Sequence, residues 1–216
     1  VMKHSAWTAQ YLTRYDFARM RPYFENALAH PNLHDEMATI LALTWIYQQE
    51  DALILLNQFI EQNDDAKSGA IEVAAQNIQD QNGQPIEKSL ELFARFLEDS
   101  GETVIDAYDS AFRHLKSSDF PLLQPILVRF AKTVAARKNP RPFYEYLNVC
   151  ATKFPEECLG LVEGFSQYEK PDIRYAGYYD REPLKVVINA YNSLWGRNQK
   201  DPILLDKALR LFDKML

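Results

Sequence analysis

Apolar residues recur every three or four positions along almost the whole chain, and no segment sustains a period of two. Such a pattern admits helices and excludes a sheet. Leu90, Phe93, Ala94 and Leu97 fall on one side of a helix over about 85–99, and Leu123, Ile126, Leu127, Phe130 and Val134 do so after Asp119. Start signals punctuate the run: Asp119 before Pro121, Asn139 before Pro140 and Pro142, Phe154 before Pro155, and Asp201 before Pro202. A short polar side chain accepts from the free N–H groups of a first turn, and a proline there lacks only a donor with no intrahelical acceptor. Gly69 and Gly83 are expected to weaken or break the helical signal, and Gly101 to separate one helix from the next.

Helix starts fall near residues 5, 16, 34, 51, 66, 85, 101, 119, 140, 155, 183 and 201, which makes about twelve helices. Alternate starts are mostly 32 to 37 residues apart, the period of stacked helical hairpins. Asp16-Phe17-x-x-Met20-x-Pro22 returns as Asp119-Phe120-x-x-Leu123-x-Pro125, 103 residues later. The expected fold is all-α: stacked antiparallel helical hairpins forming an α-solenoid, with a compact multi-helix bundle as the alternative. One helical-repeat domain is expected to span residues 1–216. With Val1 in place of an initiator Met, the sequence reads as a piece of a longer polypeptide.

Charge is laid out unevenly within a formal net of −6. Residues 1–30 sum to +2, residues 31–109 to −13 and residues 110–216 to +5. No Lys or Arg occurs from Asn26 to Ala66, and no acid from Phe120 to Tyr144. Within the acid-free stretch, Arg129, Lys132, Arg137, Lys138 and Arg141 form a basic run suited to an anion, an acidic protein face or the phosphates of a nucleic acid. The acidic middle of the chain opposes a polyanion, so nucleic-acid binding stands as the alternative to protein binding.

The second candidate surface is the long interval between the helices at 155 and 183. Arg174, Tyr175, Tyr178, Tyr179 and Arg181 lie within it or at its end, and Tyr and Arg are the residues that most often anchor binding surfaces. The same tyrosines also suit a second role, covering the groove between neighbouring hairpins. The last helix carries Leu204, Leu205, Ala208, Leu209, Leu211, Phe212, Met215 and Leu216, an apolar face wide enough to call for more chain, a partner or a second copy.

Catalytic and cofactor signatures are not found. His30 and His34 are separated by Pro31, which favours a turn over a helix with both rings on one face, so no metal site is expected. Cys150 and Cys158 fit no zinc or redox spacing and read as buried free thiols. Gly160 and Gly164, four apart on one helix, read as a close helix-packing pair. No Gly-rich phosphate loop or Gly-x-Ser-x-Gly elbow occurs, so no cofactor and no catalytic residue is assigned. No apolar stretch reaches the roughly 20 residues that span a bilayer, and two cysteines point to a reducing, cytoplasmic setting.

The closing stretch, Glu182-Pro183-Leu184-Lys185-Val186-Val187-Ile188-Asn189-Ala190-Tyr191-Asn192 followed by Lys207-Ala208-Leu209-Arg210-Leu211-Phe212-Asp213-Lys214-Met215-Leu216, resembles the C-terminal end of large bacterial ATP-binding proteins. Their N-terminal regions carry a P-loop NTPase, their C-terminal regions are helical repeats, and several act in defence against phage. The resemblance is a leucine-rich pattern over about the last 45 residues, and the rest of the chain is similar to HEAT-like or TPR-like solenoids in general. It implies a non-catalytic scaffold or sensing arm that binds protein. The NTPase motif itself is absent from these residues, so no ATPase site is carried over.

Overall fold

The computed structural model describes residues 16–47, 49–133, 141–166, 181–196 and 202–215. These form eleven α-helices and two short 3-10 turns, and the only sheet-like pairing among them is one bridge between Gln79 and Pro85. The fold class is therefore all-α, as the periodicity predicts. The helix expected from residue 5 lies outside the described residues.

The chain separates into two compact units, Val1–His114 and Leu115–Leu216. The first holds α1 (Phe17–Ala27), α2 (His34–Tyr47), α3 (Asp51–Gln62), α4 (Asp64–Gln76), α5 (Glu87–Arg95) and α6 (Glu102–Phe112). α1 begins where Asp16 accepts from the Arg19 N–H at 3.1 Å. α4 begins two residues earlier than its apolar pattern suggests, because Asn63 is extended and its side chain accepts from the Asp65 N–H at 3.0 Å. α2 and α3 form a hairpin, while α4 packs most extensively on α2 and α6.

Gly69 does not weaken α4. It is buried at the crossing with α2, and a Cβ there would lie 2.5 Å from Asp35 Oδ1 and 2.7 Å from the Asp35 carbonyl oxygen. Glycine is what lets the two backbones come this close. Partial burial of Asp35, followed by the neighbouring Glu72, Asp65 and Glu36, raises its carboxyl above the usual range. Gly83 behaves as expected: at φ +76° it sits in a tight turn closed by Asp80 N–H to Gln84 O at 2.8 Å, and α5 starts after it.

α5 and α6 are held to each other by Tyr108, whose ring meets Phe93 edge-on at 5.4 Å and whose hydroxyl donates to the Phe93 carbonyl at 2.7 Å. A polar clasp ties their connection to α4. Lys67 pairs with Asp64 at 2.6 Å and with Asp99 at 2.7 Å, and Asp99 also accepts from the Gly101 N–H at 2.9 Å.

The second unit holds α7 (Phe120–Phe130), α8 (Arg141–Cys150), α9 (Pro155–Ser166), α10 (Arg181–Gly196) and α11 (Pro202–Met215). Its core is aromatic: Tyr144 meets Phe165 edge-on at 5.2 Å, and Phe120 stacks on Phe154 at 5.0 Å. α10 packs on α8, α9 and α11. Asn189 donates to Asn148 Oδ1 at 2.7 Å, Ser193 donates to the Thr152 carbonyl at 2.7 Å, and Lys207 pairs with Glu163 at 2.8 Å.

The Asp-Phe…Pro match marks the same place in both units. Phe17 and Phe120 are each the first helical residue and each buried, while Pro22 and Pro125 are each the sixth residue and exposed. The register persists beyond the motif: Leu41 and Tyr144, Leu55 and Cys158, Leu56 and Leu159, and Phe59 and Val162 are buried in both units at the same offset. The two aspartates act differently. Asp16 caps its helix directly, whereas Asp119 accepts from the Lys116 N–H at 2.7 Å and shapes the turn Ser117–Asp119 before α7.

The Lys67 clasp has a defined pH dependence. The hydrogen bond from Lys67, then that from the Gly101 N–H, holds the Asp99 carboxyl below its usual range. A carboxylate with a depressed folded pKa stabilises the fold above its unfolded pKa, and that stability is lost as pH falls through the folded value. Asp99→Asn is expected to lower stability at neutral pH by about 1 kcal/mol. The gap to wild type should close as pH drops through the carboxylate range, read from urea midpoints across a pH series.

Candidate functional site

The second unit carries a groove between α7 and α9. α7 turns Phe120, Leu123, Ile126, Leu127 and Phe130 inward, all buried, which leaves Gln124 and Val128 on its outer row, with Lys132 exposed just past the helix end. Val128 is 44% exposed, high for a valine on a packed helix. The helix is closed by Ala131 N–H to Leu127 O at 2.9 Å, and the Thr133 hydroxyl donates to the Phe130 carbonyl at 2.7 Å. α9 opens on Pro155, with Glu156 and Glu157 in its first turn, where the helix dipole favours negative charge. Cys158, Leu159, Val162 and Phe165 face the core.

Between these helices lies a cavity of about 320 Å³, lined from α7 and its end by Gln124, Val128, Ala131 and Lys132 and from α9 by Glu157, Gly160, Leu161 and Gly164. The glycines are not a close-packing pair, contrary to the expectation from their spacing. A Cβ built at Gly160 or Gly164 meets nothing within 4 Å, and neither has a positive φ. Glycine in an exposed helix interior is roughly 1 kcal/mol less favourable than alanine. At the same offset the first unit carries Asn57 and Glu61, and Asn57 Oδ1 accepts from Arg95 at 2.8 Å. The hairpin itself therefore tolerates full side chains at these positions. Both glycines line the groove, where they add no side chain.

Lys132 is exposed and Glu157 half-buried, one from each wall, and neither makes an ion pair among the described residues. Of the basic run, Arg129 and Lys132 are both exposed at the end of α7. Arg141 opens α8 and pairs with Glu145 at 2.8 Å. Arg137 and Lys138 lie outside the described residues, as do Arg174, Tyr175, Tyr178 and Tyr179. Arg181 is the first residue of α10.

The wide apolar face of the last helix is partly covered. Ala208 and Leu211 are buried, while Ile203 and Leu209 stay exposed at 77% and 52%. On α10, Tyr191 and Trp195 stack at 6.2 Å, and Trp195 and Ile188 are exposed. No helix among the described residues is long and apolar enough to cross a membrane.

Several reactive side chains face inward, whereas His30 and His114 are exposed. Cys150 and Cys158 are free and fully buried; burial pushes the Cys150 thiol up to about 12 and that of Cys158 higher still. Burial likewise raises the Tyr146 phenol, which donates to the Lys116 carbonyl at 3.2 Å. In the first unit His34 is buried, with Nε2 3.2 Å from the Leu28 carbonyl and its ring edge-on to Phe59 at 5.1 Å.

Because no atom of the described residues lies within 4 Å of the place a Cβ would take, Gly160→Ala and Gly164→Ala should each raise the stability of the free chain, by about 0.5–1 kcal/mol. Denaturant midpoints measure this, and a fall in midpoint would show that the glycines serve internal packing instead. No family model, no curated protein and no solved structure matches the chain, so the reading of this site rests on its own geometry.

Proposed function

We propose that this chain is a non-catalytic helical-repeat module that binds protein, with the α7–α9 groove as a principal contact surface. One observation carries the reading: two helix-interior glycines line a groove at the expense of helix stability, with no contact among the described residues that uses them. α7 runs about 16 Å, or three helical turns, with Gln124 and Val128 on its outer row and Lys132 just past its end. That span suits a partner helix that seats anchors three, four and seven residues apart. Val128 adds exposed apolar area to the groove, and Trp195 on α10 is an exposed aromatic of the kind that anchors binding surfaces.

The same reading makes the module the scaffold or sensing arm of a larger bacterial protein, in keeping with the resemblance of its closing stretch. The buried, protonated thiols fit the reducing cytoplasm. The nucleic-acid reading draws on the exposed Arg129 and Lys132, but Glu157 shares the groove with Lys132 and opposes a phosphate there.

A benzophenone amino acid in place of Val128, on the groove's rim, tests the proposal in cells. The expected result is a protein adduct that disappears when Gly164→Leu fills the groove. Adducts to nucleic acid, or protein adducts that Gly164→Leu leaves unchanged, would overturn it.

A further inference from the structure

We infer that the occupant of the α7–α9 groove is a second copy of this chain, docked about a two-fold axis so that Lys132 of each copy meets Glu157 of the partner subunit. This rests on reading the groove as a protein-binding surface and adds the identity of the partner.

The charge pattern carries the inference. One wall of the groove presents a cation and the other an anion, with Gln124, Val128, Ala131 and Leu161 as the remaining side-chain lining. An acidic partner would satisfy Lys132 and be repelled by Glu157, and a basic partner would do the reverse. A nucleic acid would bring phosphate against the carboxylate. A two-fold interface pairs residue i with j and j with i, so a surface carrying one charge of each sign on opposite walls is complementary to itself. Both charges are then satisfied at once, without adding net charge to the contact.

The groove floor fits the same partner. A two-fold axis over α9 brings that helix against its own copy, and closely crossing helices need small residues at the point of contact. Gly160 and Gly164 provide them. The equivalent positions of the first unit carry the full side chains of Asn57 and Glu61, so the assembly is expected to be specific to the second unit. Two turns of two helices make a small contact, at or below the lower end of stable interfaces at about 1,200 Å², so association should be concentration-dependent.

Sedimentation velocity over about two decades of concentration tests this on the 216-residue chain. Wild type is expected to pass from monomer to dimer. Lys132→Glu and Glu157→Lys should each weaken the dimer by roughly tenfold or more, since each sets like charges against each other twice. Mixed together, the two variants should pair again, because the heterodimer relieves the repulsion that each variant meets in its own copy. The double variant should also dimerise. Equal melting temperatures for the two single variants and wild type, taken at a dilution where wild type is monomeric, would show that folding is not the cause.

A wild type that stays monomeric throughout, a dimer that both reversals leave intact, or a mixture that fails to re-form dimers would each overturn the inference. A monomer whose Val128 cross-linker still captures a different protein through the groove would leave the protein-binding reading standing and remove only the second copy.

Discussion

α4 is packed from two sides, by α2 and by α6, and it tolerates this because its buried positions are Ala66, Gly69, Ala70, Ile71, Val73, Ala74 and Ala75. Small side chains make a thin helix, and a thin helix lets two neighbours come close enough to bury their own apolar stripes against it. The order of the first unit follows from that constraint. α2 reaches its closest approach over Gly69, where Asp35 crowds the place a Cβ would take. α6 packs on α4 as well, and Lys67 carries a charge from α4 to the connection that leads into it. Apolar burial supplies the driving force, and the small residues decide where it can be realised.

The second unit repeats much of this register while changing what is done with glycine. In α4 a glycine is consumed by packing, with neighbours closer than any Cβ would allow. In α9 two glycines face open space. The same residue type thus serves the interior in one unit and the exterior in the other. Only what lies opposite tells the two apart.

This contrast also explains how much of the structure is legible in the sequence. Helix positions are readable because their signals are local: Asp16 as a cap, Pro155 and Pro202 in first turns, and alternating buried and exposed rows set by a period near 3.6. The start of α4 lies two residues ahead of its apolar pattern because Asn63, a cap followed by two acids, signals a helix before its first buried residue. Propensity marks Gly69 as a weak point because it is a property of the residue alone, whereas the gain comes from α2 across the crossing. Gly160 and Gly164 mislead for the same reason. Their spacing is visible along the chain, but the emptiness above them is not. Lys132 stands out within the basic run, yet nothing along the chain places it in the same groove as Glu157, twenty-five residues away.

Both cysteines of the chain belong to the second unit, where Cys158 lies beneath the α8–α9 hairpin and donates toward the Leu147 carbonyl at 3.7 Å. With their thiols protonated and shielded, they meet a reagent only when that hairpin lifts from the core. The rate at which they become reactive therefore acts as a clock for opening events in one half of the molecule, read without any added label. The first unit, which holds no thiol, is silent in that measurement. Sulfur thus gives this half of the chain a built-in reporter, and comparing its clock with the global unfolding rate shows whether that half opens alone or only when the whole chain does.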